Sequence, residues 1–108
     1  MRLARILGEA AELNPELMRE ARRRLKRRFV QQRANARSRG IEWQLSFMEW
    51  RDWWLSTGHV DERGVHRGEW VMGRQFDVGP YALGNIQCMR AEDNVRECNE
   101  ARAGEYEL

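Results

Sequence analysis

Cysteine and proline each occur only twice in these 108 residues, and lysine occurs once. Two cysteines, Cys88 and Cys98, are too few to staple a small disulfide-rich domain, so they are read as reduced residues on a strand and a helix. With His59 and His66 they match no known zinc-ligand spacing, and no zinc is expected. No apolar run approaches the roughly 20 residues of a membrane helix. The first residues turn polar within a few positions, which argues against a secretory leader and for a cytoplasmic home. Internal repeats and low-complexity segments are also missing. One domain of ordinary size is expected over residues 1–108.

Acids are scarce in one stretch. Ten cations stand between Arg19 and Arg39 against Glu20 alone, a local charge of +9, although the whole chain carries only +2. From Glu92 to Leu108 six acids face Arg96 and Arg102, giving −4. The basic stretch has helical spacing. Asn14-Pro15-Glu16 reads as a cap, a first-position proline and an acid at the positive end of the helix dipole. The helix is expected from Pro15 to about Arg37, stopping before Gly40, with Leu17 or Met18, Ala21, Leu25 and Phe29 as its buried stripe. A shorter helix is expected over Met1–Leu13. A solvated helix face usually interleaves both signs for i,i+4 support. Here almost no acid compensates, so the helix repels itself unless an anion binds it. Two readings stand: a solvated charged face, or the footprint of a phosphate backbone with Arg22, Arg23, Lys26, Arg27, Arg33 and Arg37 as its contacts.

Ile41–Leu45 alternates as a short strand, and Ser46 with Glu49 forms a capping box for a helix over Phe47–Ser56 that Thr57-Gly58 ends. Phe47, Trp50, Trp53 and Trp54 lie close on one side of it and, with Trp43 and Trp70, are expected to make the hydrophobic centre. His59–Gly68 is polar and reads as a loop, with both histidines in solvent.

Trp70–Glu97 then reads as strand, Gly/Pro-rich loop, strand and helix: Glu69–Gln75, Phe76–Gly84, Asn85–Arg90 and Glu92–Ala103. Taken singly, Gly84-Asn85 is a turn pair tolerant of positive φ, and Asn94 sits where a helix's first turn carries a cap.

Taken together, the spacing of Arg74, Pro80-Tyr81, Asn85 four residues after the tyrosine and Asn94 nine further on resembles the ββα-metal core of HNH (His-Me finger) endonucleases in their phage-type form. Arg33–Trp50, RANARSRGIEWQLSFMEW, is similar to the segment that precedes that core. The resemblance covers Arg33 to Glu97. It implies a site for Mg²⁺ or another divalent metal held by Asn85 and Asn94, with Asp77 as the nearby acid. The family's first-strand acidic ligand falls on Gly73 and its general base on Arg74. A guanidinium cannot serve as a base near neutral pH, so Arg74 becomes a phosphate contact. The Cys-x-x-Cys pairs of the family's zinc-bearing members are absent.

The expected architecture is therefore α+β: a basic helical arm over residues 1–40, a short strand plus Trp-rich helix over 41–58, and an HNH-like ββα unit over 69–103. The expected function is that of a phage-type HNH endonuclease-like protein on duplex DNA in the host cytoplasm, with no membrane partner. The alternatives are a non-catalytic phage-encoded inhibitor of a host defence nuclease acting by protein binding, and a small DNA-binding regulator.

Overall fold

In the computed structural model, residues 14–105 are described, and the helix expected over Met1–Leu13 lies outside them. Helix α1 runs Pro15–Ser38, started by the Asn14 side chain, which accepts from the Leu17 N–H at 3.1 Å. Helix α2 runs Phe47–Thr57. Its capping box closes from both sides: Ser46 Oγ accepts from the Glu49 N–H at 3.1 Å, and Glu49 accepts from the Ser46 N–H at 3.0 Å. Gly58 ends α2 at φ 76°, a left-handed conformation that a Cβ would strain.

Strands β1 (Trp70–Arg74) and β2 (Ile86–Arg90) form a two-stranded antiparallel sheet, with Met72 opposite Cys88 and Gly73 opposite Gln87. Helix α3, Ala91–Glu105, follows β2 without a linker. The α+β class and the strand–loop–strand–helix order agree with the sequence reading. The strand expected over Ile41–Leu45 is reduced to a single bridge between Trp43 and Tyr81. There the Gln44 N–H donates to the Tyr81 carbonyl and the Tyr81 N–H to the Glu42 carbonyl. Only two backbone bonds form because the chain touches the 76–84 loop rather than a strand. No helix among the described residues is long and apolar enough to cross a membrane.

The core forms where α1, α2 and the sheet meet. Ala21, Leu25, Phe29 and Ala36 of α1 pack with Trp50 and Trp54 of α2, and with Val60, Met72, Tyr81 and Ile86. Trp43, Phe47, Trp53 and Trp70 are partly buried around it, so the aromatic residues form the centre as expected. Phe29 meets Trp43, Phe47 and Trp50 edge-on at centroid distances of 5.6–5.8 Å, a geometry that suits the ring quadrupoles. Glu92 ties α3 to the preceding loop by accepting from the Gly68 N–H at 2.9 Å. That hydrogen bond holds its carboxyl below the usual carboxylate range, so the tie is present at neutral pH and is lost as pH falls through the lowered value.

Leu25 is fully buried, whereas Val30 on the same helix is 43 % exposed. Leu25→Ala is expected to lower stability to urea by about 3 kcal/mol, through lost transfer energy and a residual cavity. Val30→Ala should move it by less than about 0.5 kcal/mol. Equal effects would misplace the core face of α1.

Candidate functional site

Five residues of the ββα unit were singled out in sequence, and β1, the following loop and α3 position them. Gly73 is central on β1. A Cβ built there would lie 2.9 Å from Asn94 Oδ1 and 2.6 Å from Met89 Sδ. The backbone thus brings Gly73 and Asn94 side by side, across the boundary between sheet and helix. Asn94 sits inside α3 rather than at its cap, because the helix begins directly at Ala91.

Arg74, Asp77 and Asn85 are drawn together around the 75–85 loop. The Arg74 guanidinium donates to the Gly79 carbonyl at 2.6 Å and to Asp77 Oδ1 at 3.2 Å, and its side chain is only 10 % exposed. It also lies 5.6 Å from the centroid of the Tyr81 ring. Asn85 Nδ2 donates to the Val78 carbonyl at 2.8 Å and to the Pro80 carbonyl at 2.9 Å. Both side chains therefore brace the loop from inside.

Positive φ does not fall on Gly84-Asn85. It falls on Phe76 (56°), Asp77 (58°) and Gly79 (81°). Arg74 bonds Asp77 and the Gly79 carbonyl across this reversal. For Phe76, a bulky residue that is 78 % exposed, the left-handed backbone is strained.

As they stand, these residues make a poor ligand set for a divalent cation. Hard cations such as Mg²⁺ usually draw on at least one carboxylate oxygen. Asp77, the one carboxylate of the set, is already paired with Arg74, and the amides of Asn85 and Asn94 can offer only neutral oxygens. Among the described residues no three His, Cys, Asp or Glu side chains converge on one point.

The second candidate surface is α1. Arg22, Arg23, Lys26, Arg27 and Arg37 are exposed, while Arg33 is half-buried with its guanidinium 5.1 Å from the Phe29 ring centroid. At about 100° per residue, Arg19, Arg22, Arg23, Lys26, Arg33 and Arg37 share an arc of about 100°. Arg27 lies about 40° outside it. At 1.5 Å per residue the stripe is about 27 Å long. Neither acid of the helix, Glu16 or Glu20, falls inside the arc, and Glu20 faces Arg24 at 3.5 Å.

Two features had no signal in the sequence. Gln32 accepts from the Trp50 indole N–H at 2.8 Å and lies against Met72 Sδ at 3.6 Å, so it bridges α1 to α2 and β1. Arg63, in what reads as an open polar loop, is held with its guanidinium 5.1 Å and 5.4 Å from the rings of Trp50 and Trp54. The histidines also differ from expectation. His66 is exposed, but His59 is half-buried, stacked on Trp70 at 3.8 Å and 10°, with Nδ1 2.8 Å from Glu62 Oε2. Trp70 offers an aromatic face that a five-membered ring covers well, which no local pattern reveals.

Compared with protein families, curated proteins and solved structures, the chain matches none.

Asn85→Ala leaves two loop carbonyls without their donor and is expected to cost about 2 kcal/mol of stability. Asn85→Asp should cost at least as much, since a carboxylate would face those same carbonyls. Denaturant unfolding of both variants checks this. Wild-type stability in either would show that the loop does not depend on Asn85.

Proposed function

We propose that this chain is a DNA-binding protein built on a phage-type HNH-like ββα scaffold whose cleavage chemistry is degenerate. The observation that carries the reading is the cation stripe on α1, an acid-free arc of arginines and one lysine about as long as eight base pairs of duplex at about 3.4 Å each. Such a stripe binds phosphates whatever the sequence, with base edges playing little part. Degeneracy rests on the finger. The position where the resemblance puts an acidic ligand is Gly73, whose Cβ space is filled by Met89 and Asn94. The position of the general base is Arg74, tied into the loop.

A second reading, protein binding by an inhibitor of a defence nuclease, draws support from the loop tip. There Phe76, Val78 and Leu83 expose 78 %, 58 % and 51 % of their surface.

Fluorescence anisotropy on two duplexes of unrelated sequence, titrated at several salt concentrations, separates the readings. Wild type should bind both alike. The double variant Arg23→Gln/Arg37→Gln should flatten the slope of log K against log salt by about 2, near 0.9 for each lost phosphate contact. Arg96→Gln, a cation paired with Asp93 on α3, should leave the slope unchanged. No affinity at roughly 50 mM salt would end the nucleic-acid reading in favour of a protein partner.

A further inference from the structure

A cavity of about 280 Å³ opens on the flank of α1 away from the cation stripe, between the helix, the 63–65 loop and β1. Arg28, Gln31, Gln32 and Asn35 line it from α1, Arg63 from the loop, and Trp54, Trp70 and Val71 supply apolar wall. At about 100° per residue, Arg28, Gln31 and Asn35 stand roughly opposite Lys26, Arg33 and Arg37. Two guanidiniums therefore share one small concave site, and no carboxylate is among its lining residues.

Two acids lie nearby without lining the cavity: Asp61 attracts the Arg63 charge in part, and Glu69, packed against Gly64, accepts from the His66 N–H at 3.0 Å. Arg63 donates through Nε to the Val60 carbonyl at 3.0 Å, a bond that fixes the guanidinium at the cavity wall without using its two terminal nitrogens. Trp54 contributes ring surface to the apolar wall, and the Arg63 guanidinium lies 5.4 Å from its ring centroid.

We propose that this cavity is a binding site for an oxyanion, a phosphate or carboxylate group carried on a small apolar or aromatic body. The guanidiniums of Arg28 and Arg63 pair with the oxyanion, and the indole wall takes the body. A planar fork of N–H donors matches both phosphate and carboxylate geometry, which is why two arginines rather than two lysines suit this task. The volume lies just under the usual range for ligand pockets, about 300 Å³ upward, so it admits one charged group with a small body. Burial, and then the neighbouring charge of Arg28, lower the Arg63 pKa to about 10 despite the attraction of Asp61, and the charge of a bound anion would favour the protonated guanidinium. The site is independent of the DNA reading, because it uses the other flank of α1.

The test uses the full chain and three probes with one ring: phenyl phosphate, benzoate and neutral benzyl alcohol. Indole and guanidinium N–H resonances are followed by NMR at neutral pH and constant ionic strength. The Trp54 and Arg63 signals are expected to shift saturably with one or both anions and not with benzyl alcohol. Saturation by phenyl phosphate alone assigns the site to phosphate, and saturation by benzoate alone assigns it to carboxylate. Arg28→Gln, at an exposed position that should not disturb folding, is expected to weaken binding about tenfold or more. Arg63→Gln should do the same, with partial rescue by Arg63→Lys. Linear, non-saturating shifts up to roughly 10 mM would overturn the proposal. So would equal saturation by benzyl alcohol, undiminished binding to Arg28→Gln, or shifts spread over Arg22, Arg23 and Arg37.

Discussion

The indole N–H of Trp50 imposes the constraint on which the packing depends. Its side chain is fully buried, and a buried donor must find an acceptor or lose the free energy of its solvation. Gln32 is that acceptor, reached across the α1–α2 interface at 2.8 Å. The same amide rests on Met72 of β1, so one polar side chain sets the position of both helices against the sheet. Around it the fit is aromatic. Phe29 stands edge-on to Trp50, Phe47 lies nearly parallel to it at 6.3 Å, and the Arg63 guanidinium covers it at 5.1 Å. A core of wide flat rings tolerates little sliding, because each ring's preferred approach fixes its neighbours.

Electrostatics work in the opposite direction. The cations of α1 raise the free energy of the helix they decorate, and within the helix only Glu20 offers a compensating ion pair. Some of the excess charge is moderated by aromatic faces: Lys26 lies 4.8 Å from the Phe47 centroid and Arg33 5.1 Å from that of Phe29. The rest faces water on one flank and a half-apolar cavity on the other. Both flanks would be stabilised by anions, and they differ in kind: an open stripe suits a polymer of phosphates, whereas a concave site with indole walls suits a single group.

The finger illustrates how residue types associated with chemistry can be used for architecture. Arg74 and Asn85 hold four groups of one loop, and Asp77 accepts from Arg74 in a backbone conformation that aspartate tolerates better than most residues. Phe76 has no such tolerance. The loop holds it at positive φ with its ring in solvent, a strain sustained by the clamp on either side.

How much was legible beforehand follows the range of the interactions. The helix starts at Asn14 and Ser46, the stop at Gly58, the core stripe of α1 and the strand–loop–strand–helix order were all readable. Caps and stripes join residues three or four apart, and sequence spacing alone encodes those distances. The α+β class followed from them. The shortening of Ile41–Leu45 to one bridge, the stacking of His59 on Trp70, the burial of Arg63 and the bridging by Gln32 were not readable. Each depends on a partner from another element, in the case of Gln32 and Met72 forty residues away. For the candidate residues, the sequence named positions but not the use each side chain is put to. The spacing picked out Arg74, Asp77, Asn85 and Asn94, but whether an amide or a guanidinium faces a ligand or a carbonyl depends on the path of the intervening loop. The acceptors lie only three to seven residues away, but an irregular backbone has no period from which a sequence could say which carbonyls turn inward.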